Sequence, residues 1–171
     1  RRESRKQLEE RVAERTAELR RANEELQTEI IERKRVQDIQ RALYRIAELS
    51  HTATDPDGFY QAVHGIVGQF LDARNFYIAL LSDDGEWLHF PYYVDETGGS
   101  AASRRVGHGI SEYVIRRGKP LLVDMEDPAV RAQFEALQAS GELDVVGQQS
   151  MAWLGVPLVA GERVLGLLAV P

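Results

Sequence analysis

The sequence predicts an α+β domain built on an antiparallel sheet, preceded by a long helix that enters a coiled coil. Three observations carry this expectation. Residues 1 to 50 contain neither Gly nor Pro and repeat apolar residues at heptad spacing. Residues 76 to 95 and 150 to 170 each read as two apolar runs joined by a glycine-containing turn, DDGE and GER, which is a hairpin pattern. Between the hairpins lie two short segments with helix start and stop residues instead of alternation.

The first helix is expected from Arg1 to about Ser50, with apolar residues at Leu8, Val12, Leu19, Ala22 and Leu26. If Val12, Leu19 and Leu26 take a positions, then Leu8, Ala22, Val36 and Leu43 fall at d, with Arg15 and Glu29 as polar members of the seam. Ile39 and Ile46 fall at g in that frame, so the seam rotates along the helix. A parallel homodimer held by residues 8 to 50 follows from this pattern. The alternative is a solvated single helix supported by pairs such as Glu29 with Arg33. The extension is assigned to residues 1–41 and the globular domain to 42–171.

A second helix is expected after SHTATDPDG, capped by Thr54 or Asp55 with Pro56 in its first turn. Its stripe is Phe59, Val63, Ile66, Val67, Phe70 and Leu71, and it should end around Asp72 to Asn75. The strands FYIALLS and WLHFPYYVD follow, then a Gly- and Ser-rich loop with a short strand at Arg104 to Val106. A short helix from Ile110 to Arg117 ends at Gly118, before the strand KPLLVDM. Asp127 caps the next helix, with Pro128 at its first position and Gly141 after its end. The hairpin SMAWLGVPLVA–VLGLLAV closes the domain, with helices largely on one side of the sheet.

Strand alternation assigns two faces. Leu88, Phe90, Tyr92 and Val94 oppose Trp87, His89, Pro91 and Tyr93, while Phe76, Ile78 and Leu80 oppose Tyr77, Ala79 and Leu81. The aliphatic faces suit helices formed by residues 36 to 72. The aromatic and polar faces suit a small-molecule pocket walled by Tyr77, His89, Tyr93 and Trp153, beside His108 and roofed by Tyr113. The alternative is that these rings only fill space. Arg104 and Arg105, with Gly107 and Gly109 ahead of the helix at Ile110, suit an anion, since a glycine-led helix start presents free amides. The glycines also suit a plain tight turn with solvated arginines.

Composition excludes several classes. Residues 1 to 41 hold 12 Lys/Arg against 10 Asp/Glu, and residues 42 to 171 hold 9 against 17. The acidic domain lacks the basic footprint that nucleic acid requires. No cysteine is present, so a thioether-linked bilin, a thiolate metal site and redox-cysteine chemistry are excluded. Neither His51, expected to be solvated, nor His64, which suits the surface as well as a packed position, pairs with His89 or His108 in a metal-ligand spacing. No nucleophile elbow or phosphate loop occurs. No catalytic residue, metal or cofactor is expected, and the purified protein should be colourless. No run of about 18 apolar residues spans a bilayer, so a cytoplasmic location is expected, with any membrane anchor lying upstream of residue 1.

The order of elements and the closing SMAWLGVPLVAGERVLGLLAV resemble the GAF sensory domain across residues 42 to 171. Ser150, Val156-Pro157-Leu158, Gly161 and Gly166-Leu167-Leu168 match its pattern. LEERVAERTAELRRANEELQTEIIERKR is similar to signalling helices of bacterial sensor histidine kinases and diguanylate cyclases. The resemblance implies a non-catalytic sensory input domain with its ligand between the sheet and residues 97 to 140, relayed through a dimeric coiled coil. A ligand-free dimerisation and relay module is the second reading. The Asn-Lys/Arg-Phe-Asp-Glu signature of cyclic-nucleotide binders is missing, and so are GGDEF, EAL, kinase and phosphoacceptor motifs. An exit helix usual in the family is expected beyond Pro171.

Overall fold

The computed structural model describes residues 2–52, 55–144 and 151–171. Thr54 and Ser150, which the sequence assigns to a cap and to the closing motif, lie outside the described residues. The chain divides into two units, Arg1–His51 and Thr52–Pro171.

The first unit is the body of helix α1 (Arg2–Thr52), one unbroken helix. Its heptad residues stand in solvent: Leu19 is 70% exposed, and Leu8, Val12, Leu26, Val36 and Leu43 are also exposed. Ion pairs one turn apart line its surface, among them Arg5–Glu9 at 3.0 Å, Arg15–Glu18 at 2.9 Å and Arg33–Glu29 at 2.7 Å. Each contributes a few tenths of a kcal/mol at most. Within one chain, helix propensity and these pairs support α1, and burial adds little.

The second unit contains α2 (Pro56–Val67), β1 (Phe76–Leu81), β2 (Trp87–Val94), β3 (Arg104–Arg105), α3 (Ile110–Arg117), β4 (Leu121–Asp124), α4 (Pro128–Ala139), β5 (Ala152–Ala160) and β6 (Arg163–Val170). The strands form one antiparallel sheet in the order β3-β2-β1-β6-β5-β4. Asp55 caps α2, its carboxylate accepting the amides of Asp57 and Gly58 at 3.2 and 3.1 Å. The helix ends sooner than its apolar stripe predicts. Gly68 terminates it, donating to the His64 carbonyl at 2.9 Å, and leaves Phe70 and Leu71 exposed in the following turn.

Successive residues of β1 point to opposite sides. Phe76 stacks on His64 of α2, with ring centres 4.5 Å apart, while the Tyr77 hydroxyl meets Ser111 of α3 at 2.9 Å. So α2 covers one face, and α3 and α4 lie on the other. His64 is half-buried, bonded to Tyr92 at 3.0 Å and to the Ala73 carbonyl at 2.7 Å.

A bulge in β2 overturns the alternation expected for HFPYYVDE. The register pairs Tyr77 with Tyr93 and Ile78 with Tyr92, then resumes with Leu80 opposite His89 and Leu81 opposite Leu88. Phe90 and Pro91 therefore face a single residue, Ala79. Proline has no N–H for the ladder, so this is where the pairing slips. Before the slip Leu88 and Phe90 share the α3 face; after it Tyr93 does, and Tyr92 passes to the α2 face.

Two glycines set distances across the sheet. A Cβ at Gly166 would stand 2.0 Å from the Ala79 carbonyl oxygen, so β1 and β6 approach closely only because that atom is missing. A Cβ at Gly155 would meet the Trp153 ring at 2.1 Å, so the indole lies flat along its own strand. Gly65, in contrast, has nothing within 4 Å of such an atom. Gly166→Ala is expected to cost about 3 kcal/mol or more by overpacking against backbone. Gly65→Ala should stabilise the fold by about 0.5–1 kcal/mol through helix propensity. Urea denaturation of both variants measures the contrast.

Candidate functional site

The face beneath α3 gathers the aromatic side chains. Tyr77, Leu88 and Trp153 are buried there with Val114 and Val123, and half-buried Phe90 and Tyr93 pack against them. The Tyr77 ring lies 5.8 Å from Phe90 and 6.0 Å from Tyr93. Trp153 Nε1 donates to the Tyr77 oxygen at 3.3 Å, which leaves the Tyr77 proton free for Ser111 Oγ at 2.9 Å. Burial pushes the Tyr77 phenol above its ordinary pKa, so it stays neutral and able to donate. The network joins β1, β5 and α3 through three polar atoms. Among the described residues, no buried side-chain nitrogen or oxygen lacks a partner.

Only three of the six expected pocket residues come together: Tyr77, Tyr93 and Trp153. His89 does not join them, because the bulge at Phe90–Pro91 puts it on the other face. It is exposed, bonds Ser103 Oγ through Nδ1 at 2.9 Å, and lines a separate 390 Å³ depression with Leu81, Asp83 and Pro91. Tyr113 does not roof the pocket either. Two residues of helix turn it about 200° from Ser111, onto the outer side of α3. His108 is exposed and lines a 180 Å³ cavity with Tyr113, Arg116, Arg117 and Glu142. Phe90 and Ser111 are the pocket-side residues that alternation and motif spacing miss.

Of the residues expected to meet an anion, Arg104 and Gly107 converge on a carboxylate of the chain itself, Glu112. Glu112, 1% exposed, is ion-paired with Arg104 and accepts the second Arg104 nitrogen at 3.2 Å and the Gly107 amide at 3.2 Å. Gly109, the N-cap of α3, offers no side chain, and Glu112 takes over that task from the third helical position. A Cβ at Gly109 would stand 2.8 Å from the carboxylate, so glycine there makes room for it. Arg105 faces elsewhere, over the Trp87 ring at 5.4 Å and 3.6 Å from Glu86. The sequence marker for this arrangement is a glutamate three residues after an N-cap glycine.

Burial works against ionised Glu112, but the hydrogen bonds from Arg104, from its own amide and from Gly107 outweigh it and hold the carboxyl below its ordinary value. A depressed folded pKa contributes stability that is complete above the ordinary glutamate value and lost as pH falls through the folded value. Glu112→Gln should therefore cost about 2 kcal/mol at neutral pH. It should also flatten the acid limb below pH 4.5, the ordinary glutamate value. Urea midpoints measured from pH 7 down to acid check both effects.

α4 differs from α3. α3 buries Ser111, Glu112, Tyr113 and Val114, whereas α4 buries no residue. Its apolar stripe Val130, Phe134 and Leu137 is half-buried, with Phe134 packed against the core. Asp127 caps it through the amides of Ala129 and Val130 at 2.8 and 3.3 Å, and Arg131 ties it to the Met125 carbonyl at 2.8 Å.

The family model describing a GAF domain matches residues 53–171, more than half of the chain. No curated protein matches. Among solved structures, the nlh2 GAF domain of A. aeolicus in an inactive state is similar at TM-score 0.55 and 16% identity, over 80% of this chain and 79% of that one. Residues 122 to 287 of a methyl-accepting chemotaxis protein are similar at TM-score 0.53 and 15% identity, over 76% and 81%. The free methionine-R-sulfoxide reductase of Neisseria meningitidis, solved with its substrate, is similar at TM-score 0.54 and 14% identity, over 76% and 70%. At these identities the structures speak for the fold alone. With the six-stranded antiparallel sheet and the matched residues 53–171, the chain belongs to the GAF domain family, a sensory and regulatory domain of signalling proteins.

Proposed function

We propose that this chain is a non-catalytic sensory module that binds a small molecule on the α3–α4 side of the sheet and relays its state through α1 as a parallel dimeric coiled coil. The half-buried stripe of α4 carries the ligand reading. A helix with three half-buried apolar residues and none buried is seated loosely, and an apolar ligand against Phe134, Phe90 and Tyr93 would complete its burial. Such a ligand acts only through unequal affinity for two arrangements of the domain. Tyr77, Trp153 and Ser111 form the fixed wall.

The second reading, a relay that binds nothing, draws on the satisfied Tyr77–Trp153–Ser111 network, which offers no orphaned group to a ligand. Mass spectrometry of protein denatured after purification separates the two. A stoichiometric small molecule supports sensing. Its absence, together with no change in Trp153 fluorescence across a metabolite screen, supports the relay. The protein is expected to be colourless in either case, and a Soret band would contradict both.

The heptad seam of α1 supports the dimer. Leu8, Val12, Leu19 and Leu26 are exposed in the single chain, and in a parallel pair they would meet their own copies. The resemblance of α1 to signalling helices supports a bacterial diguanylate cyclase or sensor histidine kinase as the cytoplasmic parent. No helix among the described residues is long and apolar enough to cross a membrane. Sedimentation should show dimers for the whole chain and much weaker association for a fragment starting at Asp55. Leu19→Ala should weaken dimerisation, whereas Ile39→Ala or Ile46→Ala should shift the output's response in the parent, because the seam rotates there. Monomers at high micromolar concentration for both the chain and the fragment would refute the coiled coil.

A further inference from the structure

The outer side of α3 carries a small cavity that does not depend on the binding face proposed beneath α4. His108, Tyr113, Arg116, Arg117 and Glu142 line its 180 Å³. Tyr113 is 8% exposed, so this wall is fixed by packing. Its phenol oxygen accepts the Nε–H of Arg117 at 3.3 Å, and the Arg117 guanidinium lies 5.5 Å from the ring centre. Both contacts orient the guanidinium fork. They use neither of its terminal nitrogens, and the Tyr113 hydroxyl proton has no acceptor among the described residues. Arg116 donates to the carbonyls of Gly107 at 3.1 Å and Glu142 at 3.0 Å, which fixes the two loops that frame the cavity.

We propose that this cavity binds a compact oxyanion, a phosphate group. It holds a surplus of donors: the two terminal nitrogens of Arg117, the Tyr113 hydroxyl and the His108 ring, against one lining carboxylate, Glu142. A phosphate offers the several acceptor oxygens such a set needs, and a guanidinium fork matches it with two parallel bonds. Two guanidiniums beside one carboxylate disfavour a cation. The volume is also below the roughly 300–1,000 Å³ of pockets that enclose larger ligands. Glu142 attracts Arg117 and would repel an incoming anion, so its removal should favour binding. Asp144, 3.9 Å from His108 at the rim, acts in the same direction.

The test titrates the whole chain at neutral pH and constant ionic strength with inorganic phosphate, methyl phosphate and sodium chloride. The backbone amide resonances of His108, Tyr113, Arg117 and Glu142 are followed. Saturating shifts are expected with phosphate or its ester and not with chloride. Arg117→Gln should weaken binding at least about tenfold, Glu142→Gln should tighten it severalfold, and Arg163→Gln, on the distant pair with Asp83, should leave it unchanged. Arg117→Lys keeps the charge without the fork and should fall between wild type and Arg117→Gln. Binding that survives Arg117→Gln, weakens in Glu142→Gln or is matched by chloride overturns the proposal. So does the absence of saturation at tens of millimolar phosphate.

Discussion

A buried carboxylate is tolerable only where charge and amide donors converge on it, and Glu112 imposes that condition on the whole of the α3 region. Arg104 must leave β3 on the inner side, Gly107 must turn its amide inward, and Gly109 must lack a side chain. Once α3 is anchored at its first turn, Ser111 is carried to the Tyr77 hydroxyl and Val114 into the core. Tyr77 in turn receives the indole N–H of Trp153, whose ring lies flat over Gly155. One buried charge thus sets the position of the helix, and a chain of two hydrogen bonds transmits that position to strands β1 and β5.

The contrast between α3 and α4 follows from the same condition. α3 is bound by an ion pair, a hydrogen-bonded network and four buried residues. α4 has a good N-cap and one arginine tether but no buried side chain. Local opening free energies track buried contacts, so the element with fewest of them yields first. A fixed wall and a loosely seated helix are the components a sensory domain needs. Under the proposed sensory role, a ligand would shift α4 without disturbing the sheet.

Much of this fold was legible in the sequence because its local rules agree with one another. Asp55-Pro56 and Asp127-Pro128 mark helix starts, Gly85 and Gly161 mark hairpins with positive φ, and Gly118 closes α3 in the left-handed region. The site was less legible. Strict alternation places His89 beside Tyr93, and only a bulge moves them apart. Pro91 signals that a strand pairs irregularly but not which residues change face. Spacing along α3 puts Tyr113 near the pocket mouth, but the angle round the helix turns it away from the side that carries Ser111. Arg104 and Gly107 read as donors to an anion, and the carboxylate they hold is a side chain of α3, Glu112. Glu112 reads as a surface charge until the N-cap glycine three residues earlier is considered with it.

Native-state hydrogen exchange, measured residue by residue, tests the division between a fixed α3 and a loosely seated α4 most directly. The amides of Val114 to Arg117 should exchange only with global unfolding, as those of β1 and β6 do. The amides of Arg131 to Ser140 should open at a free energy several kcal/mol lower, with no matching loss of protection in α3. Equal protection of α3 and α4 would show one cooperative unit and contradict the account.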